Sequence, residues 1–412
     1  MEESSYGNDI SSPLALLAGH LGGLSWGTLI LTLATVYLGL VQLLRFRALR
    51  RVEKKFAAYV EDPYRLNYKQ AQEVMQLSLL YDMPFLFAFG TQWALIKSYG
   101  IASGTPLLVK TRQLVDTSKV GKRAEDTAVF IGEFLIGDID SERGRLAISK
   151  LNWLHNRYQI LETDYVHTLA LFVLEPQRWI DKYEWRPMTR LEKVAHFIYW
   201  REIGHRMGFG GIPATLEELE KWKVDYEKTH LYFIEENRMV TEATLNLFLR
   251  KVPPSLHGFV TALFISFIDE KKVLDAIGFP DPPAWASYLT YSFFRLRGFI
   301  IRYAFLPRRQ KLDPLAKPGA DGRLYRKAKY VAFEPWYVSN TWVNRLGMLL
   351  KSGGSLAPGE DFQSRGFLPE ELGPAGFEKL AKEPVRAQAK EMEEYIRQGG
   401  SAGVGCPFRF GR

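Results

Sequence analysis

Cysteine is all but missing: Cys406, in a glycine-rich stretch near the C-terminus, is the only one in 412 residues. One thiol excludes internal disulfides, four-cysteine zinc sites and cysteine-ligated iron–sulfur clusters. Walker, GxGxxG, HExxH and GxSxG patterns are absent too, which removes the usual signatures of nucleotide binding, zinc proteolysis and serine hydrolysis. No internal repeat is present, and alternating strand patterns are almost wanting, so the fold class read from the sequence is all-α. The net charge of +8 is spread along the chain with no Lys/Arg-rich arm. That distribution argues against a nucleic-acid partner and for a solvated exterior with some adhesion to a membrane surface.

Long apolar runs are scarce as well, with one exception. Residues Leu21 to Leu44 carry no charge, and at about 1.5 Å per residue they span the roughly 30 Å of a hydrocarbon core. The preceding leader, residues 1–20, is polar and acidic (Glu2, Glu3, Asp9), unlike the basic start of a signal peptide. Arg45, Arg47, Arg50, Arg51, Lys54 and Lys55 follow at once. By the positive-inside rule, the chain crosses once and its main part lies in the cytosol. The expected organisation is therefore leader 1–20, transmembrane helix 21–44 and helical domain 45–350. An extended, partly disordered tail, 351–412, would carry short helices at Pro369–Glu371 and Ala387–Arg397. Met83 to Tyr99 is apolar but too short to span, and reads as buried core or an interfacial helix. Trp285 to Leu306 is aromatic and aliphatic nearly all round, broken by Arg295, Arg297 and Arg302. It reads equally as a core helix with solvated arginines and as a second membrane contact.

The chemistry concentrates between Arg143 and Met207, in three helical runs (143–158, 162–176 and 185–207) holding four of the seven histidines. Ile148, Leu151 and His155 share one face of the first run, so His155 needs a partner on an apolar surface: a carbonyl, a carboxylate or a metal. Four readings follow. All four histidines can be satisfied structural residues. His155 can ligate a b-type haem whose propionates meet Arg123, Arg143, Arg145 or Lys150. Asp164-x-x-His167 and Glu202-x-x-His205 have the spacing of bundle di-iron sites, with Glu133 and Glu162 as further carboxylates. Arg206 beside His205 points instead to an exposed helix end there. Nucleophilic hydrolysis has no motif to support it. Upstream, Arg123 and Thr127 stand one turn apart on a helix expected over Leu114 to Ile136.

Several ordered phrases resemble one family: KRAEDT (122–127), RGRLAISKLNWLHNRY (143–158), DYVHTLALFVLEPQRWI (164–180), WRPMTRLE (185–192) and WREIGHRMG (200–208). Together they are similar to the mpaB-type membrane-bound oxygenases of fungal meroterpenoid biosynthesis, grouped with the bacterial rubber oxygenases. The resemblance implies a globin-like, helical haem b protein that uses O2 to oxidise or cleave a double bond in a prenyl or terpenoid chain. It further implies His155 as the proximal iron ligand, with Arg123 and Thr127 on the distal side. Arg143 and Arg145 would lie near the haem edge and His167 would line the pocket. Asp126 stands where rubber oxygenases can carry a ligating lysine, Ile148 occupies the histidine slot of their RLxH pattern, and their glutamate base has no counterpart upstream of Arg123. Lysine ligation is therefore not carried over. The resemblance implies an endoplasmic reticulum membrane location, with the lipid bilayer, a hydrophobic prenylated substrate and other pathway enzymes as partners. The alternatives are a non-catalytic membrane-tethered module that holds a lipid or partner, and a di-iron oxygenase.

Overall fold

The structure, a computed structural model, describes residues 25–400 except 317 and 353. The expected leader, the first residues of the expected span and Cys406 lie outside the described residues. Among the described residues every regular element is helical, and strand-like pairing is confined to three isolated bridges, such as Ile101 with Leu231. The all-α expectation holds.

The chain opens with α1 (Trp26–Arg45) and α2 (Arg47–Lys55), followed by α3 (Tyr68–Leu79) and α4 (Pro84–Ser98). Next come α5 (Thr105–Thr111), α6 (Val120–Leu135), α7 (Glu142–His155), α8 (Glu162–Tyr183) and α9 (Arg190–Arg206). Then come α10 (Leu216–His230), α11 (Glu235–Leu249), α12 (His257–Ser266), α13 (Lys271–Ile277) and α14 (Ala284–Ala304). Two helices close the chain, α15 (Trp342–Lys351) and α16 (Lys382–Arg397). The starts follow local chemistry. Asn67 with Gln70, Thr189 with Glu192 and Thr215 with Glu218 form reciprocal capping boxes at α3, α9 and α10, and Ser141 caps α7.

Helices α4 and α8 cross at the centre of the bundle. The second central run is longer than its sequence suggests, because α8 continues through Pro176 to Tyr183. Proline inside a helix costs one backbone hydrogen bond, and here the surrounding packing fixes it. A Cβ on Gly90 of α4 would lie 2.6 Å from the Pro176 Cα and 2.9 Å from its nitrogen, so glycine lets the two backbones meet. Around this crossing Phe89 packs on Trp179 at 4.7 Å and on Phe294 at 5.3 Å between ring centroids. Such edge and tilted contacts suit the charge distribution of aromatic rings.

Buried charges are paired across helices. Arg186 bridges Asp82 at 3.1 Å and Glu192 at 2.7 Å, and Lys97 joins Glu175 at 2.9 Å and Glu270 at 2.6 Å. Arg206, expected at an exposed end, is fully buried, bound to Glu202 at 2.9 Å and Asp140 at 2.6 Å. The Asp140 and Glu202 carboxylates draw the guanidinium inward and supply the charge compensation that burial demands.

The segment beyond residue 351 carries the two expected short helices, at Pro369–Glu371 and within α16. It packs closely: α16 lies along α7, with Met392 and Tyr395 in the main core. At the other end α1 is almost wholly exposed and is long and apolar enough to cross a membrane. Helix α4 is largely buried, as one of the two readings of Met83 to Tyr99 expects.

Candidate active site

Helix α6 carries two jobs on neighbouring stripes. Lys122, Glu125 and Asp126 are buried and tie down the chain beyond residue 313. Lys122 Nζ donates to Asp126 at 3.0 Å, to the Gly373 carbonyl at 2.6 Å and to the Tyr337 hydroxyl at 3.2 Å. Glu125 pairs with Arg326 at 3.3 Å. The adjoining stripe, Arg123, Ala124, Thr127 and Ala128, remains half-buried. There the Thr127 hydroxyl donates to the Arg123 carbonyl at 2.8 Å and accepts from the Arg123 guanidinium. The threonine thus fixes the arginine head group from one turn away.

His155 ends α7 on the face it shares with Ile148 and Leu151. Its ring centroid lies 5.2 Å from that of Tyr165, which stacks at 4.9 Å on Phe209. Its Nδ1 is sealed from solvent and has no hydrogen-bond partner among the described residues. Burial, and after it the charge of nearby Arg123, depress the imidazole to about 3. His155 is therefore neutral at any physiological pH, the form in which histidine binds metals. A buried polar atom left unpaired costs about 1–3 kcal/mol, so the site holds an unmet demand. Arg123 also bears on the buried Tyr99 phenol, which faces Thr244. The structure thus gathers Arg123 and Thr127 of α6, His155 at the end of α7, Tyr99 at the end of α4 and Tyr165 of α8, four elements in all. Tyr99 escaped the sequence reading because no spacing connects residues 99, 123 and 155.

Beside Arg123 a cleft of about 100 Å³ opens between α6 and the C-terminal segment, lined by Lys119, Lys122, Asp126, Trp336 and Pro374. It is a cationic opening, well short of the ~300–1,000 Å³ of a small-molecule chamber. The larger hollow under α15, about 530 Å³, shares no lining residue with this site.

The other expected site residues sit elsewhere. Arg143 bonds Glu133 at 2.7 Å and the Gly322 carbonyl at 2.9 Å; Arg145 bonds the Asp140 carbonyl at 2.8 Å and Glu393 at 3.3 Å. Both stand near the opposite end of α7, about 18 and 15 Å along the axis from His155 at 1.5 Å per residue. His167 joins α8 to α10: its Nε2 lies 2.9 Å from Glu227, which also takes Lys223 at 2.8 Å. Burial outweighs the carboxylate and lowers the His167 pKa, while the histidine and Lys223 hold Glu227 down to about 2. We read the pair as neutral histidine donating to ionised glutamate. His196 is a core histidine, accepting from Trp200 Nε1 at 2.9 Å and pushed to about 3 by burial.

The di-iron spacing does not assemble. Asp164 accepts from Ser103 at 2.7 Å and from Tyr226, and Glu202 is bound to Arg206. Glu133 is held by Arg143, and Glu162 by the Gly210 amide. Among the described residues no group of three or more His, Cys, Asp and Glu side chains converges on a metal-sized point. Ligation by a single imidazole needs no such cluster, and the Nδ1 of His155 is a buried nitrogen without a hydrogen-bond partner among the described residues.

The bundle is all-helical and sets a neutral, half-buried imidazole near an arginine held by Thr127; sequence comparison assigns the class. The chain belongs to the family described as "ER-bound oxygenase mpaB/B'/Rubber oxygenase, catalytic domain", whose model matches residues 78–302. That range contains Arg123, Thr127 and His155. The ER-bound oxygenase mpaB' of Penicillium brevicompactum is 28% identical over 396 residues, covering 90% of this chain and 91% of the relative. The ER-bound oxygenase mpaB of Penicillium roqueforti (strain FM164) is 30% identical over 269 residues, 61% of this chain and 90% of the relative. The mpaB of P. brevicompactum is 28% identical over 350 residues, 79% and 82% of the two chains. The protein is thus an O2-dependent oxidoreductase acting on a small molecule, which sets aside the non-catalytic alternative.

Proposed function

We propose that the protein is a membrane-anchored, haem b-dependent oxygenase that oxidises or cleaves a prenyl or terpenoid side chain in meroterpenoid secondary metabolism. The observation that carries this reading is His155: neutral, half-buried, and with a shielded Nδ1 that has no hydrogen-bond partner among the described residues, near an arginine pinned by Thr127. His155 would hold the iron, and haem b bound there supplies the binding and activation of O2. Arg123 offers a fixed cation and several N–H donors to negative charge at the site, at little cost in reorganisation because Thr127 has already set its position. Tyr165 packs beside the His155 ring and is itself stacked on Phe209, which shields that side of the imidazole. His167, Arg143 and Arg145 act in this reading through packing and ion pairs rather than at the iron.

Helix α1 supplies the anchor, and Arg47, Arg50, Arg51, Lys54 and Lys55 behind it put the catalytic domain on the cytosolic face of the endoplasmic reticulum. A prenyl tail partitions into the bilayer, so an anchored enzyme meets its substrate where the substrate concentrates. Other enzymes of the pathway would share that surface. The test is the absorption spectrum and haem content of full-length, detergent-solubilised protein expressed with haem supplied. The His155→Ala variant loses the Soret band while staying folded. An unchanged spectrum in that variant rejects the assignment, and a wild type without porphyrin rejects the cofactor.

A further inference from the structure

Helix α14 is built inside out for a soluble protein. Its buried stripe is narrow and mostly small: Ala286, Thr290, Phe294 and Gly298 at successive four-residue steps. Thr290 bonds Ser266 of α12 at 2.6 Å, and a Cβ on Gly298 would lie 2.7 Å from the Tyr183 carbonyl, so this side is pressed against α8. The broad opposite side carries Trp285, Leu289, Phe293, Leu296, Phe299 and Tyr303, all exposed and spaced three or four apart. Phe299 keeps 62% of its surface and Leu296 59%. Contiguous exposure of this size on one helix is far from the scattered apolar residues of an ordinary surface.

The three arginines that interrupt the helix do not relieve the exposure. Each turns back to the protein: Arg295 to the Lys182 carbonyl at 3.2 Å, Arg297 to Glu184 at 3.1 Å, and Arg302 to the Trp185 carbonyl at 3.3 Å. Charge is thus drawn to the flanks and the outer face is left apolar. Exposed Phe259 of α12 stacks on Trp285 at 5.3 Å and extends the same surface.

Helix α1 is joined to this face. Tyr37 Oη donates to the Ala304 carbonyl at 2.9 Å, and Gln42 to that of Arg302 at 3.3 Å. Arg45 donates to the carbonyls of Ile301 at 3.0 Å and Phe305 at 3.1 Å. The exposed side of α14 therefore continues the surface of the apolar helix that the proposed function places in the bilayer. We propose that α14, with Phe259 of α12, is a second membrane contact: an interfacial helix laid into the headgroup–acyl boundary of the bilayer that α1 crosses. The occupant is lipid, because the face is continuous with α1 and ends beside the cationic α2, which suits anionic headgroups. Trp285, Tyr288 and Tyr303 bring rings favoured at that depth. The inference rests on the anchoring role of α1 and extends it from a tether to a platform.

The experiment uses the full-length chain with Cys406→Ser, reconstituted in phosphatidylcholine–phosphatidylserine vesicles. A nitroxide is attached singly at Leu296→Cys, Phe299→Cys, Leu33→Cys on α1 and Glu220→Cys on α10, and collision with O2 is compared with collision with a water-soluble nickel chelate. Leu296 and Phe299 labels should favour O2 over the chelate several-fold, as Leu33 does, while Glu220 shows the reverse. If Leu33 reports lipid and both α14 labels report water, the anchor stands and the second contact is overturned. Spin–spin broadening at Leu296 without lipid access would make the face a contact between two copies, which also overturns it. Water access at Leu33 as well would remove the anchoring premise.

Discussion

Thr127 and Arg123 hold one another across a single turn of α6, the hydroxyl giving its proton to the arginine's carbonyl and receiving one from its guanidinium. Replacing Thr127 with valine keeps the branched shape and removes both bonds. Stability should fall by only about 1 kcal/mol. Turnover should fall by about tenfold, equal to about 1.4 kcal/mol in the barrier, because a loose guanidinium no longer meets the site in one position. Parallel thermal unfolding and product assays check this. Equal activity in the variant removes the positioning role.

Arg143 and Arg145 are bonded to Glu133 and to Glu393 with the Asp140 carbonyl. On the proposed haem reading, alanine at Arg145 should therefore leave the porphyrin content of the purified protein unchanged and cost at most about 1 kcal/mol, as for a partly exposed ion pair. A halved porphyrin load in Arg145→Ala would put that residue back at the cofactor.

His196 makes folding sensitive to acid. Folded His196 takes a proton near pH 3, and the unfolded chain does so near the ordinary histidine value of 6.5. Above pH 6.5 both forms are neutral and the group adds no slope. Below that, the unfolded chain binds the proton first, so stability declines as pH drops toward 3, by up to about 1.4 kcal/mol per pH unit. His196→Gln should be less stable at neutral pH yet lose less between pH 6.5 and 4.5. Denaturant midpoints at the two pH values decide it, and parallel losses in both proteins would contradict the assignment.

Gly90→Ala tests the central crossing. The new methyl would meet Pro176 backbone atoms at 2.6 and 2.9 Å, where no side chain can swing aside. Separating α4 from α8 should cost about 1–3 kcal/mol, the range for an overpacked core. Denaturant unfolding of the two proteins gives the number, and a neutral result would mean that the crossing relaxes freely.

Much of this architecture was legible from pattern. The uncharged run and the basic cluster behind it mark α1 and α2. The three runs between Arg143 and Met207 correspond to α7, α8 and α9, although the third becomes helical only after its capping box at Thr189. Boundaries failed where tertiary contacts override local preference. Pro176 reads as a stop, but its fit against Gly90 lets α8 run on to Tyr183. The helix expected from Leu114 starts at Val120, after a turn in which Arg112 adopts a left-handed backbone. Arg206 looks like a surface residue until Asp140, distant in sequence, is seen to neutralise it. That Arg123 and Thr127 share a helix face follows from spacing, and His155's need of a partner from its apolar face; reading the three as one site comes from the family resemblance. Their convergence with Tyr99 depends on how α4, α6 and α7 pack, which no local spacing encodes.

The side chains of Tyr37, Gln42 and Arg45 cap the last carbonyls of α14 at Ile301, Arg302, Ala304 and Phe305. Orphan carbonyls at a helix end must otherwise find water or other donors. Shortening the chain to begin after Arg45 would thus do more than remove an exposed apolar helix. It would unbutton the end of α14 beneath Trp185, and the harm would spread inward to the Phe294 aromatic cluster at the heart of the bundle. Helix α1 is a structural member of the helical body, and the two are expected to be purified intact or not at all.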